Sequence, residues 1–131
     1  DIIYDSKTIK IKVTKDVYIN VKPLAMKRAL LNIISNAISY SKNIVEIITI
    51  KNDNFLNIFI EDDGKGIPKN KREKVFKAFY RIDESRQSAS ANTGLGLTIA
   101  KDIIQGHGGK IVLNASNLGG LKVEIILPIK T

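Results

Sequence analysis

The sequence predicts an α/β (α+β) two-layer sandwich, in which three helices cover one face of a mixed, mostly antiparallel sheet of about five strands. Two observations predict this class. Segments that alternate apolar and polar residues, as half-buried strands do, occur in pairs along the chain. Segments with an apolar residue at every third or fourth position, as in amphipathic helices, separate these pairs. A length of 131 residues is enough for one domain with its own core.

The N-terminal half is predicted to contain one long helix between two pairs of strands. Proline is tolerated in the first turn of a helix, so Pro23 is a suitable start for the helix. A turn at residues 52–54, Asn-Asp-Asn, separates the second pair of strands. The predicted elements are strands at 9–13, 17–21, 44–51 and 55–61 and a helix over about 23–40.

The C-terminal half is predicted to contain two helices and a final pair of strands. Residues 82–93, IDESRQSASANT, have almost no apolar content and are expected to form a mobile loop. Asn117 and the glycine pair 119–120 separate the final strands. The predicted elements are a short helix around 69–76, a helix over about 95–106, and strands at 110–115 and 121–127.

Composition excludes several classes of protein. The chain has no cysteine, so it can hold neither a disulfide framework nor a thiolate site. No apolar run approaches the roughly 18 residues that a membrane span needs. The formal net charge is +8, but the lysines are spread along the chain. We therefore expect a solvated basic surface and no nucleic-acid partner. Because the sequence begins with Asp1, we expect it to be part of a longer protein.

The stretch NTGLGLTIA at 92–100 places two glycines where a helix should begin. Glycine costs about 1 kcal/mol relative to alanine in a helix interior. One interpretation is a phosphate cradle, because the N–H groups at a helix N-terminus attract anions and glycine allows close approach. The other is an ordinary turn. The stretch is not the dinucleotide pattern G-x-G-x-x-G, since Ile99 stands at the third glycine position, and the chain contains no P-loop.

The first helix carries a row of polar residues at Asn32, Asn36 and Tyr40, spaced four residues apart. Asparagine is a mediocre helix former, so two of them beside a leucine stripe need a reason. They could simply form a polar helix face or bond to backbone groups. Alternatively, the Asn36 amide oxygen could bind Mg²⁺, which takes one or two oxygen ligands from protein and the rest from phosphate and water.

The stretch DDGKGIP at 62–68 follows a predicted strand. Asp-Gly is a common turn signal, so one interpretation is a plain turn. In the other, Asp63 accepts a hydrogen bond from an exocyclic amine, while the glycines bring the backbone close to a flat ring.

Four motifs in order, N-x-x-x-N-A, D-x-G-x-G-I-P, V-F-x-x-F-Y-R and T-G-L-G-L, resemble the ATP-binding catalytic domain of bacterial sensor histidine kinases. This family belongs to the superfamily of gyrase, Hsp90 and MutL. The stretches that carry the resemblance are LLNIISNAISYS, DDGKGIP, REKVFKAFYRIDESR and TGLGLTIAKDIIQGHGG. Each motif is weak alone, but together they cover the chain from about Pro23 to Pro128.

The resemblance implies a site for ATP and Mg²⁺. Asn36 would be the metal ligand, and Asn32 would contact phosphate or a water on the metal. Tyr40 would pack on the adenine, and Asp63 would accept a hydrogen bond from its amino group. The base pocket would be lined by Gly64, Gly66 and Ile67, and the phosphate side by Thr93, Gly94, Leu95, Gly96 and Leu97.

The resemblance also implies a catalytic role for Arg81, which would neutralise phosphate charge during transfer, together with Asn32. Residues 82–93 would form an ATP lid that Phe76 and Phe79 anchor. Three positions depart from the family's usual residues: Ser39 replaces a lysine, Asn92 a glycine, and Leu121 a threonine near the adenine.

A kinase reaction is favoured over hydrolysis by Asn32, because hydrolases of the superfamily carry a glutamate there to activate water, and an amide cannot take that proton. The alternatives are an ATP hydrolase or a degenerate interaction module. His107 lies in GHGG at a helix end, where glycines form C-caps, and is expected to be structural.

The resemblance implies that the phosphoryl acceptor lies on another part of the protein. The expected partners are a histidine-bearing dimerisation domain of the same protein, N-terminal to Asp1, and a cognate response regulator. Residues 1–131 would then be a single catalytic domain, monomeric alone, from a homodimeric parent protein. This domain would be cytoplasmic, and the parent would reside in a bacterial inner membrane.

Overall fold

A computed structural model describes residues 1–4, 6–77 and 96–129, and contains six strands in one sheet. The strands are β1 (Ile2–Tyr4), β2 (Lys7–Lys12), β3 (Ile44–Lys51), β4 (Phe55–Asp62), β5 (Lys110–Ala115) and β6 (Leu121–Pro128). The α-helices are α1 (Pro23–Tyr40) and α2 (Gly96–Gly106), and single 3-10 turns occur at Lys69–Lys71 and Lys74–Phe76.

The strand order is β1-β2-β3-β4-β6-β5, and among the described strands only β2 and β3 pair in parallel. A parallel pair needs a crossover connection, and α1 lies within the one that joins β2 to β3. The predicted class, a mixed and mostly antiparallel sheet with helices packed against it, is confirmed. The sheet has six strands rather than about five, because the short β1 pairs with β2 at the edge.

The core lies between the helices and one face of the sheet. On β4, Leu56, Ile58 and Ile60 are buried and alternate with partly exposed residues. Their partners on β6 are Leu127, Ile125 and Val123, all buried. This strand pair meets Ile33 of α1 and Ile104 of α2, which are both at most 1% exposed. Because β4 and β6 are antiparallel, the end of β4 lies beside the start of β6, and Gly64 just after β4 packs against Tyr40 at the end of α1.

Two sequence predictions about secondary structure were wrong. Residues 17–21 form no strand, although Val17, Ile19 and Val21 do pack against the core and Tyr18 is exposed. The alternating pattern therefore correctly indicated which side chains are partly buried, but the segment does not pair with another strand in the described part of the chain. The helix predicted around 69–76 is two separate 3-10 turns, with only Val75 buried.

The other described elements agree with the sequence within a few residues, and α1 covers 23–40 as predicted. The predicted lid at 82–93 lies outside the described residues. Among the described helices, none combines the length and apolar character needed to cross a membrane.

Candidate functional site

Asn32, the first residue of the polar row on α1, faces the start of α2. Asn32, Asn36 and Tyr40 are each half-buried. The Asn32 side-chain amide is 3.5 Å from the carbonyl oxygen of Gly96, at the limit of a hydrogen bond. The structure thus brings together two predicted site residues, Asn32 and Gly96, that are 64 positions apart.

Asn36 offers an oxygen ligand that the described part of the chain does not use. Its amide makes no hydrogen bond to any other described residue, and partial burial limits its contact with water. A neutral amide oxygen in this position fits the single protein ligand that Mg²⁺ can take beside phosphate and water. Within the described residues, no group of three or more His, Cys, Asp or Glu side chains offers a competing metal site.

Asp62, the last residue of β4, is the buried carboxyl group of this region, with 3% of its surface exposed. Its Oδ1 accepts hydrogen bonds from the backbone N–H groups of Gly64, at 2.8 Å, and Leu121, at 3.3 Å. Burial raises the pKa of Asp62, and the nearby Asp63 carboxylate adds to this, whereas the two backbone donors and Lys7 oppose it. The net effect is that the pKa of Asp62 is raised.

Gly120 makes room for Asp62. A Cβ at Gly120 would overlap Asp62 Oδ1 and would lie 2.6 Å from the Asp62 carbonyl oxygen. The Gly120 N–H instead donates to that carbonyl at 3.1 Å. Leu121 donates its backbone N–H to Asp62 while its side chain is buried.

Asp63 points away from this buried position. Its Oδ1 accepts from the N–H groups of Lys42, Asn43 and Ile44 at 2.8, 3.1 and 3.2 Å, and Oδ2 accepts from Asn43 at 3.1 Å. Partial desolvation disfavours the charged form, but the backbone donors outweigh it and lower the pKa of Asp63. The contacts of Asp63 therefore do not support the role of adenine acceptor predicted for it.

The glycines of the loop have separate structural reasons. Gly64 packs so closely against α1 that a Cβ would overlap the carbonyl oxygen of Tyr40. Gly66 has φ +72°, and a Cβ there would be 3.2 Å from the Gly120 carbonyl oxygen. Ile67 is half-buried against the core. Gly64 thus contacts both Asp62 and the end of α1, whereas Gly66 lies against Gly120, which itself contacts Asp62.

Phe76 contacts α2. Its carbonyl oxygen accepts from the Thr98 hydroxyl at 2.7 Å, and the Lys101 ammonium lies 4.5 Å from the centre of its ring. Leu97 packs against the core one residue into α2. Arg81, Thr93, Gly94 and Leu95 lie outside the described residues, as do Phe79 and Asn92.

His107 has a structural role. Its Nε2 accepts from the Lys22 N–H at 2.9 Å, and its Nδ1 lies 2.8 Å from the Ile103 carbonyl oxygen, which assigns the proton to Nδ1. The ring thereby joins the end of α2 to the start of α1. A cavity of about 780 Å³ lies here, lined by residues that include Ala25, Ile103 and Pro128. It is at the opposite end of α1 from Tyr40.

Sequence reasoning missed Asp62, although two signals could have found it. Leu56, Ile58 and Ile60 alternate toward the buried face, so the next position in the same register is Asp62. Counting back from the two glycines in D-x-G-x-G also gives Asp62 as the motif's aspartate, with Asp63 at x.

The sequence matches the family described as histidine kinase-, DNA gyrase B-, and HSP90-like ATPase over residues 21–131. The match covers most of the chain, so the chain belongs to this family. It is 41% identical over 107 residues to the sensor histidine kinase CpxA of Escherichia coli K12, covering 82% of this chain and 23% of that protein. It is 38% identical over 120 residues to the sensor histidine kinase WalK of Bacillus subtilis 168, covering 88% of this chain and 20% of that protein.

Solved structures agree with these matches. The ATP binding domain of PrrB from Mycobacterium tuberculosis superposes with a TM-score of 0.79 at 26% identity, over 98% of this chain and 84% of that one. The homologues of this chain are therefore sensor histidine kinases, and its fold is that of their catalytic domains. The chain spans less than a quarter of the length of CpxA and of WalK from Bacillus subtilis.

Proposed function

We propose that this chain binds ATP with Mg²⁺ and donates the γ-phosphoryl group to a histidine on a separate dimerisation domain. A response regulator would then receive the phosphoryl group. Family membership supports ATP binding in general, and the geometry around Asp62 supports the particular site. The chain itself would be a single catalytic domain of a longer, homodimeric protein.

The observation that carries this proposal is the environment of Asp62. Backbone donors occupy its Oδ1, whereas no described residue donates a hydrogen bond to Oδ2. A buried carboxylate with one oxygen committed and one available can accept from the exocyclic amine of adenine. We therefore assign this contact to Asp62 in place of Asp63. Gly64, Gly66 and Ile67 would surround the base, and Tyr40 would pack against it.

The phosphates would lie further along the row on α1, toward the start of α2. Asn36 would provide the protein ligand to Mg²⁺, and Asn32 would face the phosphates or a water on the metal. When bound, the ion neutralises charge on the group being transferred. Thr93, Gly94, Leu95, Gly96 and Leu97 would offer backbone contacts to phosphate, and Arg81 would add a positive charge.

A kinase reaction is favoured over hydrolysis by the residue at position 32. An amide cannot remove a proton from water, so Asn32 offers no base for attack by water. His107 is a poor acceptor because both of its ring nitrogens lie within hydrogen-bond distance of backbone groups. We therefore place the acceptor histidine on another domain of the full-length protein.

A nucleotide titration followed by a transfer assay tests this function. The chain should bind ATP in the presence of Mg²⁺ and bind GTP poorly, because guanine offers a carbonyl where adenine has the amine. Asp62→Asn should weaken ATP binding by about 1–3 kcal/mol, as expected for loss of a buried charge-assisted hydrogen bond. Asp53→Asn makes the same chemical change in an exposed turn and should leave affinity unchanged. Equal affinity for ATP and GTP would contradict the Asp62 assignment.

The transfer assay separates the kinase from the hydrolase. Alone, the chain should neither label itself nor hydrolyse ATP at a useful rate. With an added histidine-bearing dimerisation domain it should produce a phosphohistidine, which is labile in acid and stable in base. Hydrolysis by the chain alone at roughly 1 s⁻¹ or faster would favour the hydrolase.

A further inference from the structure

We propose that Asp63 is a positioning residue for the nucleotide pocket, holding the end of α1 against the loop that carries Asp62. This inference rests on the proposed function, because it concerns the same site. Asp63 would not touch the nucleotide. Its effect on binding would come through the backbone that it fixes.

The first argument is the convergence of three consecutive backbone donors on one carboxylate. The N–H groups of Lys42, Asn43 and Ile44 all lie within 3.2 Å of Asp63 Oδ1. Lys42 and Asn43 lie in the connection between α1 and β3, and Ile44 is the first residue of β3. A carboxylate that accepts several backbone N–H bonds is favoured in its charged form, and such bonds are stronger than those between neutral groups. The carboxylate therefore fixes this connection to the end of β4.

The second argument is the close packing of the next residue against α1. Gly64 approaches the carbonyl oxygen of Tyr40 more closely than any side chain would allow. The same Gly64 donates its N–H to Asp62. Movement of the α1–β3 connection would therefore displace Gly64, which both packs against Tyr40 and donates the hydrogen bond that orients Asp62.

The third argument concerns what else holds the end of α1. The Ser41 hydroxyl donates to the Ile38 carbonyl at 2.8 Å, and the Lys7 ammonium donates to the same oxygen at 2.5 Å. Both contacts fix the last turn of the helix. Neither reaches the loop at 63–67. The Asp63 carboxylate, by contrast, joins the residues that follow α1 to that loop.

This arrangement predicts a particular pattern of defects. Without the Asp63 carboxylate, Asp62 should lose its fixed orientation relative to Tyr40, so recognition of the base should weaken. The proposed metal and phosphate contacts lie at Asn36 and Asn32, about one and two helical turns before Tyr40 on α1, and should be preserved. Affinity and base selectivity should fall together, whereas the transfer rate at saturating ATP should be unchanged.

The test compares Asp63→Ala and Asp63→Asn with the parent chain, with Asp53→Ala as a matched control in an exposed turn. Affinities for ATP and GTP are measured with Mg²⁺, well below each variant's unfolding temperature. Asp63→Ala should weaken ATP binding by about tenfold, because it leaves three backbone donors without their acceptor. It should also reduce the preference for ATP over GTP. Asp63→Asn keeps one oxygen acceptor and should lose only about threefold.

The transfer rate distinguishes positioning from general damage to the fold. With the added histidine-bearing domain, kcat should stay at the parent value while KM for ATP rises. Parent-like ATP affinity and selectivity in both variants would overturn the proposal, as would a fall in kcat without a change in KM. If Asp63→Ala does not fold, Asp63→Asn decides: a threefold loss supports the role, and parent affinity overturns it. Failure of the parent chain to bind ATP would instead refute the proposed function.

Discussion

Asp62 is the last residue of β4 and Asp63 is the first residue of the loop that follows. Their two side chains lie in opposite environments. Asp62 is buried on the helix-covered face of the sheet, with a raised pKa. Asp63 is more exposed and bonded to three backbone N–H groups, with a lowered pKa. Successive residues of a strand point to opposite faces, so one step along the chain separates the two environments.

We infer from this difference that the fold gives two tasks to identical side chains. A carboxylate intended to bind a ligand needs an oxygen that the protein leaves available, and burial makes its charged form unfavourable until a donor arrives. A carboxylate that fixes the backbone should have its acceptors filled and its charge stabilised. Asp62 fits the first description, and Asp63 fits the second.

The largest expected effect comes from disturbing the close contact of Gly64, which follows the two aspartates, with Tyr40 at the end of α1. In Gly64→Ala, the new methyl group would overlap the carbonyl oxygen of Tyr40 and lie 3.0 Å from Asp62 Oδ1. The loop must shift, so we expect a loss of about 3 kcal/mol in the free energy of unfolding, the scale of overpacking a tight site. Urea denaturation measures this loss, and ATP binding should fall with it.

Gly106→Ala is the matched control for this change. Gly106 ends α2, and no neighbouring atom lies within 4 Å of an added Cβ. We expect unchanged or slightly higher stability, by at most about 1 kcal/mol, because alanine is the better helix residue. A similar loss in both variants would show that the contact with Tyr40 does not constrain Gly64.

A smaller effect, of opposite sign at the two aspartates, comes from removing each charge. Asp62 has a raised pKa, so its contribution to stability is present below its ordinary pKa and is lost as the pH rises through the raised value. Asp62→Asn should therefore be more stable than the parent by about 1 kcal/mol near neutral pH. The gap should close in acid, where the parent carboxyl is also neutral.

Asp63 should show the reverse behaviour, because its pKa is lowered. Its stabilising contribution is present above the ordinary pKa and is lost as the pH falls through the lowered value. Denaturation of the two asparagine variants across the same pH range measures both signs at once. Destabilisation by Asp62→Asn at neutral pH would contradict the assignment of Asp62 as the costly charge.

The smallest expected effect comes from Lys7→Met, which preserves much of the side-chain length and removes the ammonium group. The variant loses the hydrogen bond to the Ile38 carbonyl, so we expect a loss of about 0.5 kcal/mol in stability. Lys7 also opposes the rise in the pKa of Asp62, so that pKa should rise further. NMR titration of the carboxyl groups should show this rise at Asp62, and an equal rise at Asp63 would show that Lys7 acts on both.

The sequence by itself determined the elements whose signal is local. The apolar periodicity and Pro23 defined α1, and apolar segments bounded by turn residues defined β3 to β6 within one or two residues. Four-residue spacing was enough to place Asn32, Asn36 and Tyr40 on one face of α1, because helix geometry fixes that relation. The order of four short motifs was enough to indicate the family, which the comparisons confirm.

Where a local sequence pattern was compatible with two structures, only the tertiary structure determined which of them forms. Residues 17–21 have the alternation of a strand, but a strand requires a backbone partner from elsewhere in the chain, and none pairs with them among the described residues. Asp62 and Asp63 are adjacent residues of the same type, so their side-chain chemistry alone does not distinguish them. Their environments differ because Gly120 and Leu121, at the start of β6, lie beside the first, whereas backbone N–H groups after α1 bond to the second. Those neighbours lie about 60 and 20 positions away, so only folding brings them to either carboxylate.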